Sequence, residues 1–83
     1  MEKITDLKTV KNFQGVYAIK NEINGKLYIG SACRTEKGHS LYDRLHNHEY
    51  RLKLGISHNL HLQRAFEKYG EENFNFYIVE TVE

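Results

Sequence analysis

The sequence predicts an α+β domain, a three-stranded antiparallel sheet with helices packed on it in the order (α)ββααβ. Three observations carry that expectation. Two β-rich runs, Gly15 to Lys20 and Lys26 to Ser31, are joined through Asn24-Gly25, a dipeptide that tolerates positive φ at both central positions of a tight hairpin. Leu41, Leu45 and Leu52 fall on one helical stripe behind Ser40. Phe74, Phe76 and Ile78 alternate with Asn75, Tyr77 and Val79, as the residues of a half-buried strand do.

Ahead of the hairpin, Thr5 and Asp6 are cap candidates for a short helix or turn carrying Leu7, Val10 and Lys11. Each hairpin strand then carries one tyrosine beside one glycine, Tyr17 with Gly15 and Tyr28 with Gly30. Paired strands can bring the two phenols onto neighbouring strands, and the glycines leave room for something to approach the backbone closely. Cys33 to His39 has no apolar period and reads as a loop. Ser40 with Asp43 forms a variant capping box, and Gly55 stops the first helix. Asn59 caps a second helix that runs to Tyr69, with Leu62, Ala65, Phe66 and Tyr69 inward and Gly70 as its end. Glu71-Glu72-Asn73 is a solvated turn into the last strand, Phe74 to Val82.

The 83 residues make one small domain, 1–83, able to bury only about 60–65% of its unfolded surface. With 40% hydrophobic and 28% charged residues the composition is that of a soluble globular protein. No apolar run approaches the ~20 residues that span a bilayer, and Met1-Glu2-Lys3-Ile4-Thr5-Asp6 does not resemble a secretory signal, so an intracellular, cytoplasmic place with no membrane partner is expected. The single cysteine, Cys33, cannot form an internal disulfide or a thiolate zinc cluster and is read as incidental. A net charge of +1 is too small for a protein that coats DNA, so any polyanion must be held by local basic clustering.

On the first helix Arg44 and His48 stand one turn apart, about 40° from each other, and border the leucine stripe. From there they can lean over the sheet edge toward the hairpin tyrosines across a shallow groove; the plain alternatives are a snorkelling cation and a hydrogen-bonded boundary histidine. His46 points the opposite way. His58 and Asn59 begin the second helix, where free N–H groups and the dipole suit phosphate, although Asn59 also serves as a simple cap. His61, Arg64 and Lys68 lie on the flank or outer face of that helix, as solvated groups or contacts to a phosphate backbone.

From Gly15 to Glu80 the chain resembles the GIY-YIG nuclease family, in its phage and intron homing-endonuclease branch. The pieces occur in one order: Gly15-Val16-Tyr17, Tyr28-Ile29-Gly30-Ser31-Ala32, Arg44-Leu45-His46-Asn47-His48, His58 through Phe66, and Lys68-Tyr69-Gly70-Glu71-Glu72-Asn73-Phe74. Valine stands at 16 where the family has isoleucine. The resemblance implies hydrolysis of a DNA phosphodiester with one divalent cation, Mg2+ or Mn2+, and DNA as partner, with no nucleotide cofactor. Tyr17 then matches the general base or the group that positions the attacking water, and Tyr28 the second phenol, on that water or the phosphate. A phenol with a solution pKa near 10 needs a cation or metal to stabilise its phenolate, a demand an arginine and a metal can meet. Arg44 would hold the scissile phosphate. His48 and His58 would orient the nucleophile, contact the phosphate or assist the leaving group, while Asn59, His61 and Arg64 would contact DNA.

The chain departs from the family at three points. The glutamate that anchors the cation on a helix after the last strand has no counterpart before Glu83, and Glu80 and Glu83 come too early for it. No metal-ligating residue is therefore assigned, and the expectation is a domain truncated at its C-terminus that cleaves weakly or not at all. The stretch Cys33 to His39 is longer than usual before the arginine. The match around His58 needs a one-residue adjustment, so His58 and His61 compete for the histidine role, with His58 favoured by its place at the helix start. Two further readings stand beside the enzyme: a noncatalytic module binding nucleic acid or a protein on the same fold, and a scaffold in which these side chains only pack.

Overall fold

A computed structural model describes residues 1–32 and 40–82. In chain order it contains β1 (Glu2–Ile4), a 3-10 turn (Leu7–Val10), β2 (Gln14–Asn21), β3 (Leu27–Ala32), α1 (Leu41–Leu54), α2 (Leu60–Tyr69), a second 3-10 turn (Glu71–Asn73) and β4 (Phe74–Val82). The α+β class is as expected. The sheet, however, has four strands in the order β1-β4-β2-β3, every neighbour antiparallel. The expected three-strand count is corrected because Glu2–Ile4 pairs along the outer edge of β4, with Ile4 opposite Phe76. A three-residue strand is too short to display alternation; only its distant partner makes it a strand. Asp6 does cap the following segment, but as a single 3-10 turn.

The hairpin is present with a different turn. Gly25 alone takes positive φ, at 75°, and Asn24 does not. The link from Glu22 to Lys26 is instead closed by Gly25 N–H donating to Asn21 C=O at 2.8 Å and Asn21 N–H to Lys26 C=O at 2.9 Å. The side chains of Asn21 and Asn24 accept from the N–H groups of Ile23 and Lys26, so both asparagines replace backbone acceptors within the turn.

Both helices form where their caps predict. Ser40 and Asp43 complete a reciprocal capping box, Gly55 ends α1 in the left-handed region, and Asn59 accepts from Leu62 N–H. Leu41, Leu45, Leu52 and Leu62 are buried and pack with Tyr17, Ile19, Val10 and Ala32 into one core, against which Phe66, Phe74, Phe76 and Ile78 are half-buried. In the register Tyr17 faces Gly30 and Ile19 faces Tyr28, so all four share the sheet face under the helices. The opposite face leaves Ile29 60% exposed. The expected loop from Cys33 to His39, Cys33 itself and Glu83 lie outside the described residues.

Candidate active site

Each hairpin-strand glycine, Gly15 and Gly30, is fixed by what crowds it, and in both cases the approaching group is the protein itself. At Gly30 a Cβ would stand 2.4 Å from the Tyr17 hydroxyl oxygen and 2.5 Å from its ring carbon Cζ, so the phenol lies flat over the space a side chain would fill. At Gly15, φ is +151° and a Cβ would come within 2.0 Å of the Glu80 carbonyl oxygen. This is where the β2–β4 register shifts between Val16 and Tyr17. Gly15 thus lets β2 and β4 close upon each other beside the bulge that aims Tyr17 at the helices.

Tyr17 is only 3% exposed, and its hydroxyl lies 2.7 Å from Nε2 of His48, with the rings edge-on at 5.6 Å. Burial raises the Tyr17 phenol above its ordinary 10.0; the Arg44 charge pulls the other way and does not compensate. Desolvation outweighs the Arg44 cation, so with the protein's own groups alone Tyr17 stays a neutral phenol at pH 7. His48 is shifted the other way. Burial lowers its pKa below the ordinary 6.5, and Arg44 and then Arg51 lower it further. At neutral pH the pair is a phenol and a neutral imidazole, which can share one hydrogen bond with either ring as donor according to the tautomer.

That shift has a consequence for stability. In the unfolded chain His48 takes a proton near 6.5, whereas in the folded chain it resists until lower pH, so stability is full above 6.5 and falls as pH drops through the folded value. The expected result is an imidazole that titrates below 6.5 in an NMR pH series. The acid-induced fall in Tm should be shallower in His48→Gln, and equal slopes in the two proteins would remove the inference.

Arg44, Asn47, His48 and Arg51 of α1 meet Ser57, His58, Asn59 and Leu60 at the start of α2 across an open groove of about 760 Å³. Arg44, His48, His58 and Asn59 are thus brought together, with Tyr17 behind His48. Tyr28, His61 and Arg64 are not part of that lining. They border a second hollow, with Asn24, Lys26, Ala65, Lys68 and Tyr69. Of His58 and His61, it is His58 that lines the groove, together with His48.

Several residues of the site escaped the sequence reading. Arg51, one turn beyond Asn47 on α1, gives the groove a second guanidinium. Gln63 is buried; its Nε2 donates to Leu52 C=O at 3.1 Å and its Oε1 accepts from Ser57 N–H at 3.0 Å. It ties the end of α1 to the link that presents His58. A polar residue beside Leu62 on the inner side of a helix was the available signal. Among the described residues no carboxylate lines the groove, and no three of His, Cys, Asp and Glu gather to hold a metal ion. A hard cation such as Mg2+ wants carboxylate and other oxygen ligands, so these residues do not fit it and no step below passes through one.

No protein-family model matches the chain. The intron-associated endonuclease 1 of Enterobacteria phage T4 is 41% identical over 56 residues, 68% of this chain and 20% of that protein. The probable intron-encoded endonuclease 1 of Neurospora crassa is 38% identical over 71 residues, 86% of this chain and 20% of that protein. Among solved structures, the catalytic domain of homing endonuclease I-TevI matches with a TM-score of 0.68 at 36% identity, over 83% of this chain and 67% of that one. The chain thus shares the fold of the catalytic domain of a homing endonuclease. The chain belongs to the GIY-YIG family. It spans 20% of the length of the curated relatives it matches, and no helix among the described residues is long and apolar enough to cross a membrane.

Proposed function

We propose that this domain is a DNA endonuclease core in which the groove between α1 and the start of α2 seats the scissile phosphodiester. The observation that carries the reading is the 2.7 Å pairing of Tyr17 and His48 beside two arginines. Arg44 and Arg51 supply the positive wall that a phosphate needs, and the N-terminus of α2 adds free backbone donors. As water attacks phosphorus, its proton passes to the groove-facing ring nitrogen of neutral His48, whose Nε2–H is held and oriented by the Tyr17 oxygen behind it. The bond from phosphorus to the leaving oxygen then breaks, and Arg44 neutralises the charge that builds on the phosphoryl oxygens. In this route Tyr17 never has to exist as a free phenolate. His58 contacts the phosphate or hands a proton to the leaving oxygen, Asn59 orients the first turn of α2, and His61 and Arg64 meet DNA further along. Tyr28 is left with a phosphate contact, since it borders the second hollow.

The family uses a divalent cation, Mg2+ or Mn2+, which when bound supplies charge neutralisation at the phosphate. The groove as described has no carboxylate to hold it, so slow cleavage is the expected behaviour of this chain. The same observation favours a second reading, a noncatalytic module that binds DNA in the groove. Supercoiled plasmid separates the two, because one nick relaxes the whole molecule. With Mg2+ present, slow conversion to the relaxed form is expected. Binding with no relaxation would favour the noncatalytic module, and relaxation at the rate of a metal-loaded family enzyme would overturn the account of the groove.

A further inference from the structure

Beside the groove, and sharing none of its lining, a hollow of about 260 Å³ runs between the hairpin turn and the length of α2. Its rim is basic: Lys26 from the turn, and Arg64 and Lys68 from successive turns of α2, with His61 and the rings of Tyr28 and Tyr69. Lys26 Nζ donates to Nδ1 of His61 at 3.2 Å and stands 5.4 Å from the Tyr28 ring centre, while Lys68 Nζ stands 5.2 Å from that of Tyr69. These neighbours fix where the ammonium groups sit without neutralising them. Among the described residues no carboxylate lines the hollow, and none lies within ion-pairing distance of Lys26, Arg64 or Lys68. Three unneutralised cations converging on one concavity repel each other; an anion removes that cost.

We infer that this hollow is a second phosphate subsite, taking the backbone of the substrate strand beyond the scissile phosphate. The inference rests on the endonuclease reading of the groove. From Asn59 at the start of α2 to Lys68 near its end is nine residues, about 13 Å of helix. At about 3.4 Å per step of duplex that distance covers roughly four base steps, so one strand laid along α2 reaches both sites. Lys26 and Lys68 act on charge alone and read no bases. Their contribution is therefore the same for every sequence.

The test is equilibrium binding of a short fluorescent duplex of mixed sequence to this chain over a range of salt, compared with Lys26→Gln/Lys68→Gln and with Lys53→Gln. Lys53 is already paired with Glu49 at 3.6 Å and Glu71 at 3.5 Å and serves as control. Each phosphate contact contributes about 0.9 to the slope of log K against log salt, so the double variant should lose roughly 2 in slope while the control keeps it. All substituted side chains are exposed at their tips, and unchanged Tm values check the fold. An unchanged slope in the double variant overturns the subsite and leaves the groove reading standing. No affinity for the duplex in the unsubstituted chain overturns both.

Discussion

Tyr17→Phe is expected to slow nicking by about 10²-fold or more, because the proton-accepting imidazole of His48 loses the partner that fixes its tautomer, while the protein stays folded. The substitution removes one oxygen and keeps the ring that fills the space above Gly30. It breaks the 2.7 Å bond to His48 Nε2, leaving a half-buried imidazole without the partner that orients it. The stability change should be small, about 1 kcal/mol, because a single neutral hydrogen bond contributes that much on balance. Activity and stability therefore separate in this variant. A loss of activity that merely follows a loss of fold, seen as a large drop in Tm, would make Tyr17 a packing residue.

Gly15→Ala is expected to have the opposite signature, a collapse of stability first. The position is held at φ +151°, which an L side chain adopts at a cost of ~1–3 kcal/mol. The new methyl would also press on backbone, the Glu80 carbonyl and the Thr81 Cα, and overpacking adds ~1–3 kcal/mol. Together these come to about 2–6 kcal/mol, against a total of roughly 4–12 kcal/mol for a domain of this size. The strands affected, β2 and β4, are the two at the centre of the sheet. Thermal unfolding by circular dichroism should show Tm lower by roughly 10 °C or more, or no cooperative transition at all. A Tm within a few degrees of the parent would mean that β4 can shift aside, and the fixed bulge beside Tyr17 would lose its support.

The parts of the fold that were legible in the sequence are the local ones. Ser40, Asp43, Gly55 and Asn59 act through neighbours within a few residues, and the stripe of Leu41, Leu45 and Leu52 follows from helix periodicity, so caps and inner face are where they are expected. That same periodicity brought His48 to the border of the core, which is how its meeting with Tyr17 could be anticipated. The hydrophobic alternation of Phe74, Phe76 and Ile78 likewise marked β4, though not its place between β1 and β2.

What could not be read depends on residues distant in the chain. Strand β1 exists because β4 lies beside it, and the place of Tyr28 beside the second hollow, not the groove, follows from where α2 settles on the sheet. The neutrality of Tyr17 is a matter of degree: the sequence names both the burying core and the opposing Arg44, but only the packed site decides which prevails. Gln63 shows the same limit, since one of its backbone partners lies in the last turn of α1 and the other in a link that has no pattern of its own.

Parallel nicking of supercoiled plasmid by this chain, by Tyr17→Phe and by Arg44→Ala is the most direct measurement of the central claim, that a phosphodiester is hydrolysed between the Arg44 wall and the Tyr17–His48 pair. The predicted result is slow relaxation by the parent and a loss of about 100-fold or more in each variant, with all three folded. Equal relaxation by all three proteins would contradict it.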